Sequence, residues 1–155
     1  MHSPNVIFLV KFKYKDNEIS ILNQTGTSFV GNINCKLNKT LQPIAFEISS
    51  ISHITNLFRR RKSRFKIKTE NENIKYFLEQ SSSLNQLSKI AEKENFSPLI
   101  TCELNDFWSI ESNYHLEFDN WTQVVEPTIK LYKALIDEFE KRIANVSNGN
   151  YREMN

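Results

Sequence analysis

Apolar and polar residues alternate with a period of two over residues 6–15, which predicts a β-strand. Val6, Phe8, Val10, Phe12 and Tyr14 fall on one side of it, and Ile7, Leu9, Lys11, Lys13 and Lys15 on the other. Asp16-Asn17 is a turn signal, and residues 18–22 read as the return strand of a hairpin. Residues 27–37 keep the β pattern, with Phe29, Ile33, Cys35 and Leu37 at period-two positions and Gly31 as an expected bulge. Residues 44–48, just after Pro43, form a fourth candidate strand. The connections are too short for crossovers, so the N-terminal third is expected to be all-β and antiparallel. The pattern leaves open whether these strands join the later ones in one sheet or form a separate small layer.

Residues 51–62 fit either a short helix or an exposed loop. They end in Arg59-Arg60-Arg61-Lys62, too much charge to bury. Alternation returns over residues 64–68, with Phe65 and Ile67 on one side and Arg64, Lys66 and Lys68 on the other. Thr69-x-x-Glu72 reads as a capping box ahead of the apolar stripe Ile74, Phe77, Leu78. Ser83-x-x-Gln86 reads as a second, ahead of Leu84, Leu87, Ile90 and Ala91. Residues 99–104 and 107–118 are predicted strands joined at Asn105-Asp106. The second puts Trp108, Ile110, Tyr114, Leu116 and Phe118 inward and Ser109, Glu111, Asn113, His115 and Glu117 outward. After Asp119 or Asn120 as cap, helical spacing runs from Val124 through Ile143 to about Ala144, with Pro127 in the first turns. Residues 145–155 are polar and read as a flexible tail.

One-sided strands need cover on one face only. The expectation is therefore a single α+β domain over residues 1–144: two layers, a largely antiparallel sheet with amphipathic helices packed on one face, and an all-β N-terminal third. Phe65, Ile67, Phe77, Leu87, Ile110, Leu116, Leu135 and Phe139 should share its core. The 155 residues, 39% hydrophobic with 11 Phe, fit one domain with a substantial core.

No run approaches the ~20 apolar residues of a membrane span, and the stretch from Val6 to Val10 is shorter than a signal-peptide core of about 7–15. Cys35 and Cys102 are far apart and in no motif, as expected of ordinary thiols in the reducing cytoplasm.

Catalytic signals are thin. Three glycines, none in a phosphate-cradling pattern, argue against a nucleotide loop. His2, His53 and His115 lack metal-ligand spacing, so neither metal nor cofactor is expected. His115, flanked by Glu111 and Glu117, is the one candidate for acid–base work; the plainer reading is an exposed histidine on a solvated face. The sequence thus points away from an enzyme.

Charge is uneven although the net charge is only +2. Residues 59–68 hold seven basic side chains and no acid, whereas residues 96–129 hold six acids and no Lys or Arg. Lys11, Lys13, Lys15, Arg59, Arg60, Arg61, Lys62, Arg64, Lys66 and Lys68 are the candidate binding residues, expected to form one basic stripe and loop on the open sheet face. Such a stripe suits a non-catalytic adaptor, inhibitor or accessory subunit docking a protein with an acidic surface. A nucleic-acid-binding domain is the alternative, though the strand aromatics lie opposite the lysines, where they cannot stack on bases beside them. The third reading is a merely solvated face, since lysines also keep sheet edges from pairing.

Overall fold

A computed structural model of the chain describes residues 5–26, 28–52, 55, 63–118 and 120–150. Among the described residues seven strands form one sheet: β1 (Val6–Tyr14), β2 (Asn17–Thr25), β3 (Val30–Lys36), β4 (Phe46–Ser50), β5 (Phe65–Lys68), β6 (Leu99–Leu104) and β7 (Trp108–His115). Three helices have both ends among the described residues: α1 (Glu72–Glu79), α2 (Ser82–Lys93) and α3 (Val125–Asn150). Strand order is β1-β2-β3-β7-β6-β4-β5, and every pairing among them is antiparallel. The N-terminal strands are therefore not a separate layer, because β3 pairs with β7 along its whole length.

The period-two pattern sorts side chains to the two faces as expected. Ile19, Ile33, Cys35, Ile48, Ile100 and Ile110 lie at or near zero exposure beneath the helices. Ile74 and Leu78 of α1, Leu84, Leu87 and Ala91 of α2, and Leu131, Leu135, Ile136 and Phe139 of α3 close over them. Each Ile, Leu or Phe among them contributes about 1.5–3 kcal/mol by leaving water. Of the expected core set, Ile67 and Phe77 are only partly buried but pack against the rest.

Several local expectations shift. The β1–β2 turn is centred on Lys15 and Asp16, both left-handed (φ 46° and 60°), and not on Asp16-Asn17. Two consecutive positive φ values match the right-handed twist of a two-residue hairpin. Asn17 instead locks the turn from inside: its Nδ2 donates to the carbonyls of Tyr14 and Lys15, and its Oδ1 accepts from Asn38 N–H at 2.7 Å. Gly31 is not a bulge, since pairing runs unbroken through it on both sides. A side chain there would meet the Tyr114 ring, whose carbons lie 2.5 and 2.6 Å from the position a Cβ would take.

The helix caps are Asn71 and Ser81, not Thr69 and Ser83; their side chains accept from Ile74 N–H and Leu84 N–H. Thr69 Oγ1 is engaged elsewhere, donating to the Ala45 carbonyl at 2.8 Å. A 3₁₀ turn (Trp121–Val124) leads into α3, which runs on to Asn150, beyond the expected end near Ala144.

Candidate functional site

Opposite the helices, the sheet face is uncovered among the described residues. Strand register turns it into rows of side chains. One row runs Lys11, Ser20, Asn34, Glu111, Thr101, Glu47, Lys68 from one edge to the other. The next runs Leu9, Leu22, Asn32, Asn113, Leu99, Ser49, Lys66. A third begins Ile7, Gln24, Val30, His115. The centre carries the acids Glu111 and Glu47 and is partly self-bonded: Asn32 Nδ2 donates to Glu111 Oε1 and Asn113 Oδ1, each at 2.7 Å.

The predicted basic stripe is divided. Lys11 and Lys13 sit on β1, Lys66 and Lys68 on β5, and these are the two edges of the sheet. Six strand spacings of ~4.8 Å put them about 29 Å apart. Lys15 leaves the open face altogether. Its left-handed turn swings it to the helical side, where Nζ meets Asp137 Oδ1 and Glu140 Oε2, both at 2.7 Å. Hydrogen bonds to Asp137 and Glu140 hold its ammonium well above the ordinary lysine range. Arg64 is also absent from the open face. A bend at this residue ends the alternation before β5 begins, and the side chain is 2% exposed. Its N–H donates to Ser88 Oγ, while Nε and Nη1 have no partner among the described residues. Arg59, Arg60, Arg61 and Lys62 lie outside the described residues.

His115 is exposed at the end of β7, opposite Val30. Glu111 is on the same face but four residues back, ~13 Å along an extended strand, and its carboxylate is taken by Asn32. The two do not form a dyad. On the helical side, a cleft of about 1000 Å³ lies between Gln42–Ile44, the α1–α2 junction and α3. Two of its polar side chains serve the fold: Ser81 caps α2, and Arg142 Nε lies 3.7 Å from Glu138.

The surface that stands out was not among the expected site residues. Val6, Ile7, Phe8 and Leu9 are 59, 63, 51 and 55% exposed, on both faces of β1 at once. Leu22 and Val30 extend the patch on the open face, and Phe29 lies at its border. Native sheets blunt their edges with short strands, lysines or bulges. β5 follows that rule, being four residues long and carrying Lys66 and Lys68. β1 follows it only in its second half, where Lys11 and Lys13 lie. Its first half is unbroken in register with β2 and carries no charge. The sequence held a signal for this: residues 6–10 are apolar on both sides of the strand, as in a strand covered on both faces. Comparison with protein-family models, with curated proteins and with solved structures finds no match to this chain.

Proposed function

We propose that the chain is a non-catalytic protein-interaction module that docks its partner on the first half of β1 and the adjoining corner of the open face. The observation that carries this reading is the run of four half-exposed apolar residues, Val6–Leu9, on a sheet edge that is unpaired among the described residues. Covering their exposed halves would contribute about 3–6 kcal/mol. An added strand would also gain main-chain hydrogen bonds, as in β-strand addition. Lys11 and Lys13, next along the same edge, favour an approaching surface that is neutral or acidic. Lys66 and Lys68, at the far edge, act in this reading as guards against unwanted pairing and not as part of the contact.

The test is capture by the immobilised chain from a nuclease-treated extract of the host. Ile7→Lys with Leu9→Lys should abolish protein capture, while Lys66→Glu with Lys68→Glu should leave it intact. The reverse pattern would restore the basic residues as the docking surface and remove β1. Capture that disappears on nuclease treatment alone would favour the nucleic-acid alternative.

A further inference from the structure

Resting on that docking reading, we propose that the occupant of the β1 edge is a second copy of this chain, whose own β1 pairs with it antiparallel about Phe8. Three features of the strand lead there.

The first is which residues offer free backbone. Tyr14 and Asn17 close a two-residue turn, so they form a hydrogen-bonded pair. The register is unbroken back to Val6, so Phe12, Val10, Phe8 and Val6 also bond inward to β2. The N–H and C=O groups of Ile7, Leu9, Lys11 and Lys13 consequently point outward. Antiparallel pairing joins outward residues to outward residues, so only odd-to-odd registers exist between two copies.

The second is that Val6-Ile7-Phe8-Leu9-Val10 is apolar at every position, so a second copy turned about Phe8 meets it apolar to apolar. A two-fold contact needs a patch that complements itself, because residue i on one copy meets residue j on the other and j meets i. About Phe8, Val6 faces the partner's Val10, Ile7 faces its Leu9, and Phe8 faces Phe8. Ile7 and Leu9 exchange main-chain hydrogen bonds.

The third is charge. In the Phe8 register Lys11 falls opposite Asn5 and Lys13 lies beyond. Moving the axis to Leu9 sets Lys11 against Ile7; moving it to Lys11 sets the two Lys11 ammoniums against each other. Like charges opposite one another destabilise a sheet, and a lysine set against Ile7 denies that side chain an apolar partner, so the lysines disfavour registers centred beyond Phe8. The product is one continuous sheet with both helical layers on the same side and Phe8 buried at the seam.

Sedimentation equilibrium on the full chain, from micromolar to millimolar, tests the association. The native chain should have twice the mass of the Ile7→Lys, Leu9→Lys variant, whose substitutions fall on exposed positions and leave the circular dichroism unchanged. Oxidation of cysteine variants tests the register. Phe8→Cys should cross-link to itself, because a non-hydrogen-bonded pair has Cα atoms ~4.5 Å apart, within disulfide reach. Leu9→Cys should not, because it lies diagonally from its own copy at ~7–8 Å. Mixed Ile7→Cys and Leu9→Cys chains should cross-link to each other, which covers a Phe8→Cys chain that fails to fold. The native thiols do not interfere: burial of Cys35 and Cys102 pushes both up to about 12. A native chain that remains monomeric throughout overturns the second copy as occupant; the docking reading then stands or falls on the capture experiment. Preferential cross-linking of Leu9→Cys to itself overturns the Phe8 register.

Discussion

The hydroxyl of Tyr132 lies 2.7 Å from the Ile33 carbonyl and 2.6 Å from Ser112 Oγ, with all three groups buried. A carbonyl can only accept, so the tyrosine proton goes to Ile33 and Ser112 must donate to the tyrosine oxygen. This chain of two bonds ties α3 to the two central strands, β3 and β7. It explains a serine on the core side of β7 and a tyrosine with no exposure.

Tyr132→Phe should therefore destabilise the fold by about 1–3 kcal/mol, because it strands the Ser112 hydroxyl in an apolar setting. Adding Ser112→Ala should recover part of that loss, since the two residues act as one unit. Urea unfolding midpoints of the two single variants and the double variant measure the coupling. Strictly additive losses would show that the bonds do not act together.

Gly31 and Tyr114 make a second such pair. The ring lies against Gly31 and is held there by Phe96, edge-on at 5.5 Å. Gly31→Ala should cost about 1–3 kcal/mol by displacing the ring. It should cost clearly less in a Tyr114→Leu background, read by thermal unfolding. An equal cost in both backgrounds would place the strain in the backbone.

Asn23 faces the helical side of β2, opposite Phe8, and is 2% exposed. Neither its Oδ1 nor its Nδ2 has a partner among the described residues. A buried amide left unpaired costs about 1–3 kcal/mol. Asn23→Leu, of similar size, should raise the unfolding midpoint, and a lowered midpoint would reveal hydrogen bonds that the replacement breaks.

Asp137 binds Lys15 at 2.7 Å and accepts from Tyr14 Oη at 3.1 Å. Burial opposes its charge, but those hydrogen bonds outweigh it and hold the carboxyl below its ordinary range. A depressed carboxyl stabilises the fold fully above its unfolded pKa of ~3.9 and loses that contribution as pH falls through the folded value. Lys15, raised, keeps its contribution until pH climbs past the ordinary lysine range, so the neutral region is flat. The difference in Tm between the native chain and Asp137→Asn should be constant from pH 8 to 6 and shrink as pH falls below ~4. A difference that persists in acid would assign the effect of Asn to packing.

The faces of the strands were legible because period two states directly which side chains share a side. Sheet order was not, since alternation names a face and never a neighbour. That is why Lys11 and Lys66, alike in pattern, were expected in one stripe and stand at opposite edges. Short-range competition explains the caps: Thr69, Asn71, Ser81 and Ser83 all suit the role, and Thr69 found Ala45 instead. Arg64 shows how one bend removes a residue from its series. The apolar edge was visible as Ile7 and Leu9 on the supposed polar side of β1. Its exposure was not, because a strand apolar on both sides looks the same whether it lies at the centre or the edge of a sheet.

The strand order also sets a timetable for the chain as it is made. β3 pairs with β7, so Val30 waits for His115, 85 residues later. At about 5–20 residues per second this interval lasts roughly 4–17 s. Throughout it the β1–β2–β3 meander has two open edges instead of one, and Ile33 and Cys35 lack the α3 side chains that later cover them. Non-local closure of this kind is slow. The nascent chain is accordingly most prone to mispairing before residue 108 is available, and slowed elongation between β3 and β7 lengthens that exposure without altering the finished fold.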